Sequence, residues 1–124
     1  MATEFIAFSH WLDSILSNCL PDEIVAFNFN LYECMEDGKF DIQLIGSAYY
    51  SDANTDWACD IVFSSGENVF PIESEDWEKC LEKCEKLISE YIQHGKYAQI
   101  LKYKRAVTVG FVDGDLNVVY ENKV

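Results

Sequence analysis

The chain is poor in the residues that build linkers and irregular tails. Its 124 residues include only two prolines and six glycines, and the sequence shows no repeat of solenoid length. A chain of this length fits one domain, and a hydrophobic fraction of 49% is ample for a packed core. We therefore expect a single domain over residues 1–124.

Long hydrophobic runs and export signals are also missing. No stretch approaches the roughly 18 apolar residues of a membrane span. Residues 1–19 carry acids at Glu4 and Asp13 but no lysine or arginine, unlike a signal peptide. The five cysteines are an odd number, which favours reduced thiols over a disulfide framework. These features predict a cytoplasmic protein.

Basic residues are scarce in the first two thirds of the chain. Residues 1–78 carry sixteen acids and one base, Lys39, whereas residues 79–124 carry six acids and eight bases. The formal net charge is −13. Such a field repels nucleic acid and anionic membranes and steers cationic partners toward the protein. Acidic surfaces also keep proteins soluble, but the steep asymmetry favours a basic protein partner.

Hydrophobic periodicity predicts the element order α-β-β-β-α-α-β-β. Helices are predicted at 4–19, 75–94 and 96–104, and strands at 24–33, 40–46, 57–63, 106–112 and 116–121. Ser74 is the expected N-cap of the long second helix, and Gly95 its left-handed C-cap. Asp-Gly pairs at 37–38 and 113–114 mark hairpin turns. This order predicts an α+β fold: a mostly antiparallel sheet of about five strands, covered on one face by two long helices as a two-layer sandwich.

The segment 51–60, SDANTDWACD, has the spacing that opens a calcium loop. Asp52, Asn54 and Asp56 match the first ligand positions, but Trp57 stands where the loop needs glycine and Phe63 where it needs glutamate. We therefore expect no metal here. Acids in loops often serve only local backbone donors, whereas aromatics beside acids are typical of interface hot spots. The predicted partner-binding residues of this segment are Tyr49, Tyr50, Asp52, Asp56, Trp57 and Asp60, although Trp57 fits a core position equally well.

The first hairpin offers a second polar surface. Asn28, Asn30 and Asp41 alternate away from the predicted core, together with Tyr32 and Gln43. A solvated sheet face is the simpler interpretation. Flanked by acidic loops, however, the same face would serve as a docking surface. Asn28, Asn30 and Asp41 therefore join the predicted partner-binding residues.

Motifs for catalysis or metal binding are missing. The sequence has no phosphate loop, no dinucleotide fingerprint and no G-x-S-x-G, and its only histidines are His10 and His94. Cys80 and Cys84 lie within the apolar stripe of the long helix, where a thiol more often packs than binds metal. We predict no catalytic residue, no metal and no cofactor. Two alternatives stay open: a small carboxylate- or metal-dependent hydrolase, and a homodimeric structural domain.

Three segments carry a resemblance to a known class of proteins. The strand DWACDIVF, the helix DWEKCLEKCEKLISEYIQHGKYA and the hairpin VGFVDGDLNVVYE together resemble the small acidic immunity proteins of bacterial polymorphic toxin systems. The resemblance extends over most of the chain and rests on pattern, size and charge. It implies inhibition of a cationic toxin, such as a nuclease, by protein–protein binding. The basic balance of residues 79–124 departs from it and implies that this part lies away from the toxin.

Overall fold

The computed structural model describes residues 2–51, 53, 55–112 and 115–122, without the side chains of Ala2, Thr55 and Asp56. Within these ranges, no helix is both long and apolar enough to cross a membrane. The helices are α1 Ala2–Leu16, α2 Trp77–His94 and α3 Ala98–Lys102. The strands are β1 Ala26–Glu33, β2 Lys39–Ser47, β3 Ile61–Ser64, β4 Phe70–Glu73, β5 Ala106–Phe111 and β6 Asn117–Glu121.

The six strands form one sheet in the order β3-β2-β1-β5-β6, and β4 also pairs with β2. All pairs are antiparallel except β1 and β5, which run parallel. The predicted α+β fold with a mostly antiparallel sheet is therefore confirmed. The additional strand is β4, which the sequence conceals because Pro71 breaks the strand pattern. Proline is tolerated there because β4 is an edge strand, paired with β2 alone among the described strands.

The helices cover one face of the sheet. Phe27, Phe29 and Leu31 of β1 point toward this face and are fully buried, because side chains alternate along a strand. Burial of each such side chain stabilises the fold by roughly 1.5–3 kcal/mol. The facing helix residues are apolar at three- and four-residue steps: Phe8, Leu12, Ile15 and Leu16 of α1, and Cys80, Cys84, Leu87, Ile88, Tyr91 and Ile92 of α2.

Both predicted caps of α2 need correction. The N-cap is Asp76, not Ser74, and its carboxylate accepts a hydrogen bond from the backbone N–H of Lys79 at 2.9 Å. Gly95 does follow the helix, but its φ of −70° is not left-handed. Glycine is required there because a Cβ would overlap the ring of Tyr91.

On the opposite face of the sheet, the described part of the chain provides cover at one end, where Trp57 packs. The predicted strand at 57–63 is wrong in its first half, since Thr55–Cys59 form a 3₁₀ turn and β3 begins at Ile61. This turn places Trp57, which is 3% exposed, against Ala26 and Ala106. Trp57 is therefore a core residue of a small second cluster, which settles the choice that the sequence left open.

Candidate functional site

The segment that follows β2 holds six of the predicted partner-binding residues. Tyr49 is 56% exposed, and Asp60 is exposed at the end of the 3₁₀ turn. Tyr50 packs edge-on against Trp57 with ring centroids 5.1 Å apart, and the guanidinium of Arg105 lies 5.4 Å from the Tyr50 ring. Asp52 lies outside the described residues, and so does the side chain of Asp56.

The polar face of the first hairpin is a chain of hydrogen bonds across three strands. The Thr108 hydroxyl donates to Asn28 Oδ1 at 2.8 Å, and the Asn28 side-chain amide donates to Asn30 Oδ1 at 2.5 Å. Gln43 Oε1 then accepts from the Tyr32 hydroxyl at 2.9 Å. Asn28 is only 1% exposed, so this row of hydrogen bonds begins inside the protein and ends at its surface.

The two predicted surfaces lie on the same face of the sheet. Ala26, which packs against Trp57, and Asn28 and Asn30 are alternate residues of β1. Asp41, opposite Tyr32 at the far end, accepts a hydrogen bond from the Cys34 thiol at 3.5 Å. Trp57 and Asn28 are buried, so they support the surface from beneath and are not themselves exposed to a partner. The exposed members, Tyr49 and Asp60, remain at the end of the sheet away from Asp41.

A groove that the sequence did not predict lies where β1 and β5 end beside the first turn of α2. Its volume of ≈ 830 Å³ is large enough for several side chains. The apolar residues of its lining are Leu31, Tyr32, Trp77, Leu81, Phe111 and Val112. The rest of the lining is polar: the exposed acids Glu33 and Asp115, and the amide of Asn117. Tyr32 belongs both to this groove and to the polar hairpin face, so the two surfaces are continuous.

Trp77 forms the exposed end of a row of aromatic rings. Phe40 is buried in the core and meets Phe111 edge-on at 5.8 Å, and Phe111 meets Trp77 edge-on at 6.2 Å. Trp77 itself is 56% exposed. Leaving half of a tryptophan in water forgoes roughly 1.5 kcal/mol of burial free energy. Such an exposed aromatic side chain on a packed base is typical of interaction sites.

The sequence pattern places Trp77 on the apolar stripe of α2 and so predicts a core position. The stripe is buried only from Cys80 onward, because the first turn of α2 extends beyond the ends of the strands. Acids at Glu75, Asp76 and Glu78 surround Trp77 in the sequence. This acidic neighbourhood was the one sequence feature that could have indicated an exposed position.

Acidic residues gather at the groove end of the sheet. β1 ends there, β2 begins there, and β4 pairs with the start of β2. The acids at this end are Glu33, Glu36, Asp37, Asp41, Glu73, Glu75, Asp76, Glu78 and Asp115. Three lysines also lie at this end, and each is paired with an acid: Lys39 with Glu36 at 3.2 Å, Lys79 with Glu75 at 3.0 Å and Lys83 with Glu4 at 3.7 Å. Neither Glu33 nor Asp115 takes part in the four ion pairs found among the described residues.

The cations of residues 96–105 lie at the other end, where β1 and β5 begin. The backbone N–H of Arg105 donates to Val25 just before β1, and Arg105 pairs with Glu121 at 3.5 Å. The five residue steps of β5 separate this end from the groove by about 17 Å. Asp22, Glu23, Asp60 and Glu121 also lie here, so among the described residues four acids offset the four cations Lys96, Lys102, Lys104 and Arg105.

The cysteines and histidines do not form a site in the described part of the chain. Cys80 and Cys84 are fully buried, and the neighbouring Cys80 thiol, together with burial, raises the pKa of Cys84. Among the residues that the structure describes, no three histidine, cysteine or acidic side chains are placed to hold a metal ion.

Comparison with known proteins adds no assignment. The chain matches no protein-family model, no curated protein and no solved structure.

Proposed function

We propose that this protein is an acidic binding protein that neutralises a basic protein partner by occupying its surface. The observation that supports this proposal most strongly is the gathering of acids at one end of the sheet, beside a groove with an exposed tryptophan. Charge of one sign on one end orients and accelerates the encounter with a cationic partner. Exposed aromatic side chains then supply the short-range binding free energy.

The resemblance to immunity proteins gives this proposal its biological form. A cationic toxin, such as a nuclease with a basic cleft, would be inhibited by steric and electrostatic occupation, without any reaction by this chain. The basic residues 96–105 lie at the opposite end of the sheet, which agrees with a partner-facing surface made of the acidic end. All five cysteines carry free thiols, which supports our proposal of a cytoplasmic location.

Affinity capture followed by an inhibition assay tests this function. The tagged chain is incubated with lysate of its own cells at low salt, and the eluted protein is identified by mass spectrometry. We expect one basic protein whose affinity falls about tenfold or more between 50 and 300 mM salt. Its expression alone should slow the growth of host cells, and co-expression of this chain should restore growth.

An unrelated folded protein of similar net charge serves as the control for nonspecific attraction to a polyanion. If the control captures the same protein equally well, or if growth is not restored by co-expression, the proposed inhibitory function is wrong.

A further inference from the structure

We infer that the groove between α2 and the ends of β1 and β5 is the docking site for a cationic segment of the partner protein. The segment would place one large apolar side chain against Trp77 and Phe111, with lysine or arginine on either side meeting Glu33 and Asp115. This inference deepens the function proposed above and rests on it.

The apolar part of the groove is a packed base beneath an exposed side chain. Leu31 is fully buried, and Phe111 is held between Phe40 and Trp77 by edge-on ring contacts. Val112 is exposed beside them. An incoming apolar side chain would therefore meet a fixed surface and lose little free energy to reordering of the groove.

The charged part of the groove consists of exposed acids that are available to pair with an incoming lysine or arginine. Glu33 and Asp115 both line the groove, and no described lysine or arginine forms an ion pair with them. The surrounding acids oppose an anionic occupant such as a nucleic acid or a membrane surface. A basic polypeptide complements both the charge and the apolar lining.

A second copy of the chain is the competing occupant. Tyr103 is 83% exposed and lies between Lys102 and Lys104, so this tripeptide has the chemistry that the groove would select. Docking it would join the chains head to tail. However, each chain has a net charge of −13, and two such molecules repel each other at long range. The basic partner is therefore favoured over self-association.

A defined peptide probe tests the groove directly. The acetylated and amidated pentapeptide Lys-Lys-Leu-Lys-Lys is titrated at low salt into ¹⁵N-labelled protein while NMR shifts are followed. We expect shifts at the Trp77 indole and at the backbone amides of Leu31, Glu33 and Phe111. A probe with alanine at its centre should bind at least about fivefold more weakly, and a probe with glutamate in place of lysine should not bind.

Two pairs of variants make the assignment specific. Trp77→Ala should weaken probe binding about tenfold, whereas Tyr49→Ala, which removes an equally exposed aromatic ring, should leave it within about twofold. Glu33→Lys with Asp115→Lys should abolish binding. Asp22→Lys with Glu23→Lys changes the net charge equally at the opposite end and should have a much smaller effect.

The other outcomes overturn the inference in distinguishable ways. Shifts centred on residues 47–60 with loss through Tyr49→Ala, or equal loss from both charge-reversed pairs, would exclude the groove while an acidic binding function stands. Absence of probe binding, where the captured basic partner still binds, would do the same. If neither probe nor partner binds, the proposed function itself fails. Groove shifts that depend on protein concentration alone and vanish with Tyr103→Ala would identify a second copy as the occupant.

Discussion

The hydroxyl of Tyr91 donates a hydrogen bond of 2.5 Å to Oδ1 of Asp13, joining α2 to α1. The same hydroxyl accepts a hydrogen bond from the backbone N–H of Tyr97 at 3.2 Å, just before α3. The Tyr91 ring is fully buried and meets Phe8 edge-on at 6.4 Å. One side chain thus fixes the relative positions of all three helices.

Tyr91→Phe should lower the free energy of unfolding by about 1–3 kcal/mol. The substitution keeps the buried ring but leaves the Tyr97 N–H without this acceptor and Asp13 without its donor. Urea unfolding followed by circular dichroism measures the change. Tyr103→Phe, at a highly exposed ring, is the control and should change stability by less than about 0.5 kcal/mol. Equal effects of the two substitutions would contradict the linking role of Tyr91.

The same tyrosine predicts a loss of stability in alkaline solution. Burial, and then the hydrogen bond to Asp13, raises the pKa of Tyr91 above its ordinary value of 10.0. The folded state therefore holds this proton more tightly than the unfolded chain does. Its contribution is fully present below pH 10 and declines above it, by up to about 1.4 kcal/mol per pH unit. Unfolding free energies measured from pH 8 to 11 should converge for wild type and Tyr91→Phe as the pH rises; a constant difference would disprove this linkage.

Substitution of Trp57 should destabilise the protein much more than substitution of Trp77. Trp57→Ala removes a 3% exposed ring from the cluster with Ala26 and Ala106 and should cost about 3–5 kcal/mol of stability. Trp77→Ala should cost less than about 1.5 kcal/mol, because its ring is already half in water. Chemical denaturation of both variants gives the comparison. A small loss for Trp57→Ala would show that Trp57 is not the core residue described above.

Sequence periodicity predicted the parts of this fold that depend on one long, regular pattern. The alternation of β1 and the apolar stripe of α2 correspond to the buried faces found in the structure. The strand prediction for 57–63 was wrong in its first half because the alternation of Trp57 with Cys59 and Ile61 also fits a 3₁₀ turn that leads into a strand. Tertiary contact with Ala26 and Ala106 decides between the two, and no local pattern contains that contact.

The groove could not be predicted for a related reason. It exists because β1 and β5, which are far apart in the sequence, lie side by side and parallel, with Leu31 opposite Phe111. Periodicity cannot show that Trp77 is exposed and Cys80 buried, since both lie on the apolar stripe. The difference in burial arises from where β1 and β5 end. Composition predicts an acidic protein, but the gathering of the acids at one end of the sheet depends on the strand order.

The buried polar pair Asn28 and Thr108 should show a measurable energetic coupling. Asn28→Ala should cost about 1–2 kcal/mol, since it removes the acceptor for the Thr108 hydroxyl inside the sheet. A double-mutant cycle with Thr108→Val should give a coupling energy of about 1 kcal/mol. Gln43→Ala, at the solvent end of the same chain of hydrogen bonds, should cost less than about 0.5 kcal/mol. A larger loss at Gln43 than at Asn28 would reverse this order and refute the assignment.

Gly110 is the position where the backbone of the last hairpin limits the choice of residue. A Cβ at Gly110 would overlap the carbonyl oxygen of Asp115 and lie 3.0 Å from a Leu116 side-chain carbon. Gly110→Ala must therefore displace the chain at Asp115, and we expect a loss of about 1–3 kcal/mol in the free energy of unfolding. Because Asp115 lines the groove, the basic peptide should also bind less tightly.

Gly46→Ala is the matched substitution, since the three atoms nearest to its Cβ would all belong to the side chain of Ile24, with the terminal carbon at 2.9 Å. A side chain can change rotamer, whereas a hairpin backbone must move as a unit, so Gly46→Ala should destabilise the protein less and leave peptide binding unchanged. Denaturant unfolding and NMR titration of both variants test the two effects separately. If Gly46→Ala weakened peptide binding as much as Gly110→Ala, the effect on the groove would arise from general destabilisation and not from the position of Asp115.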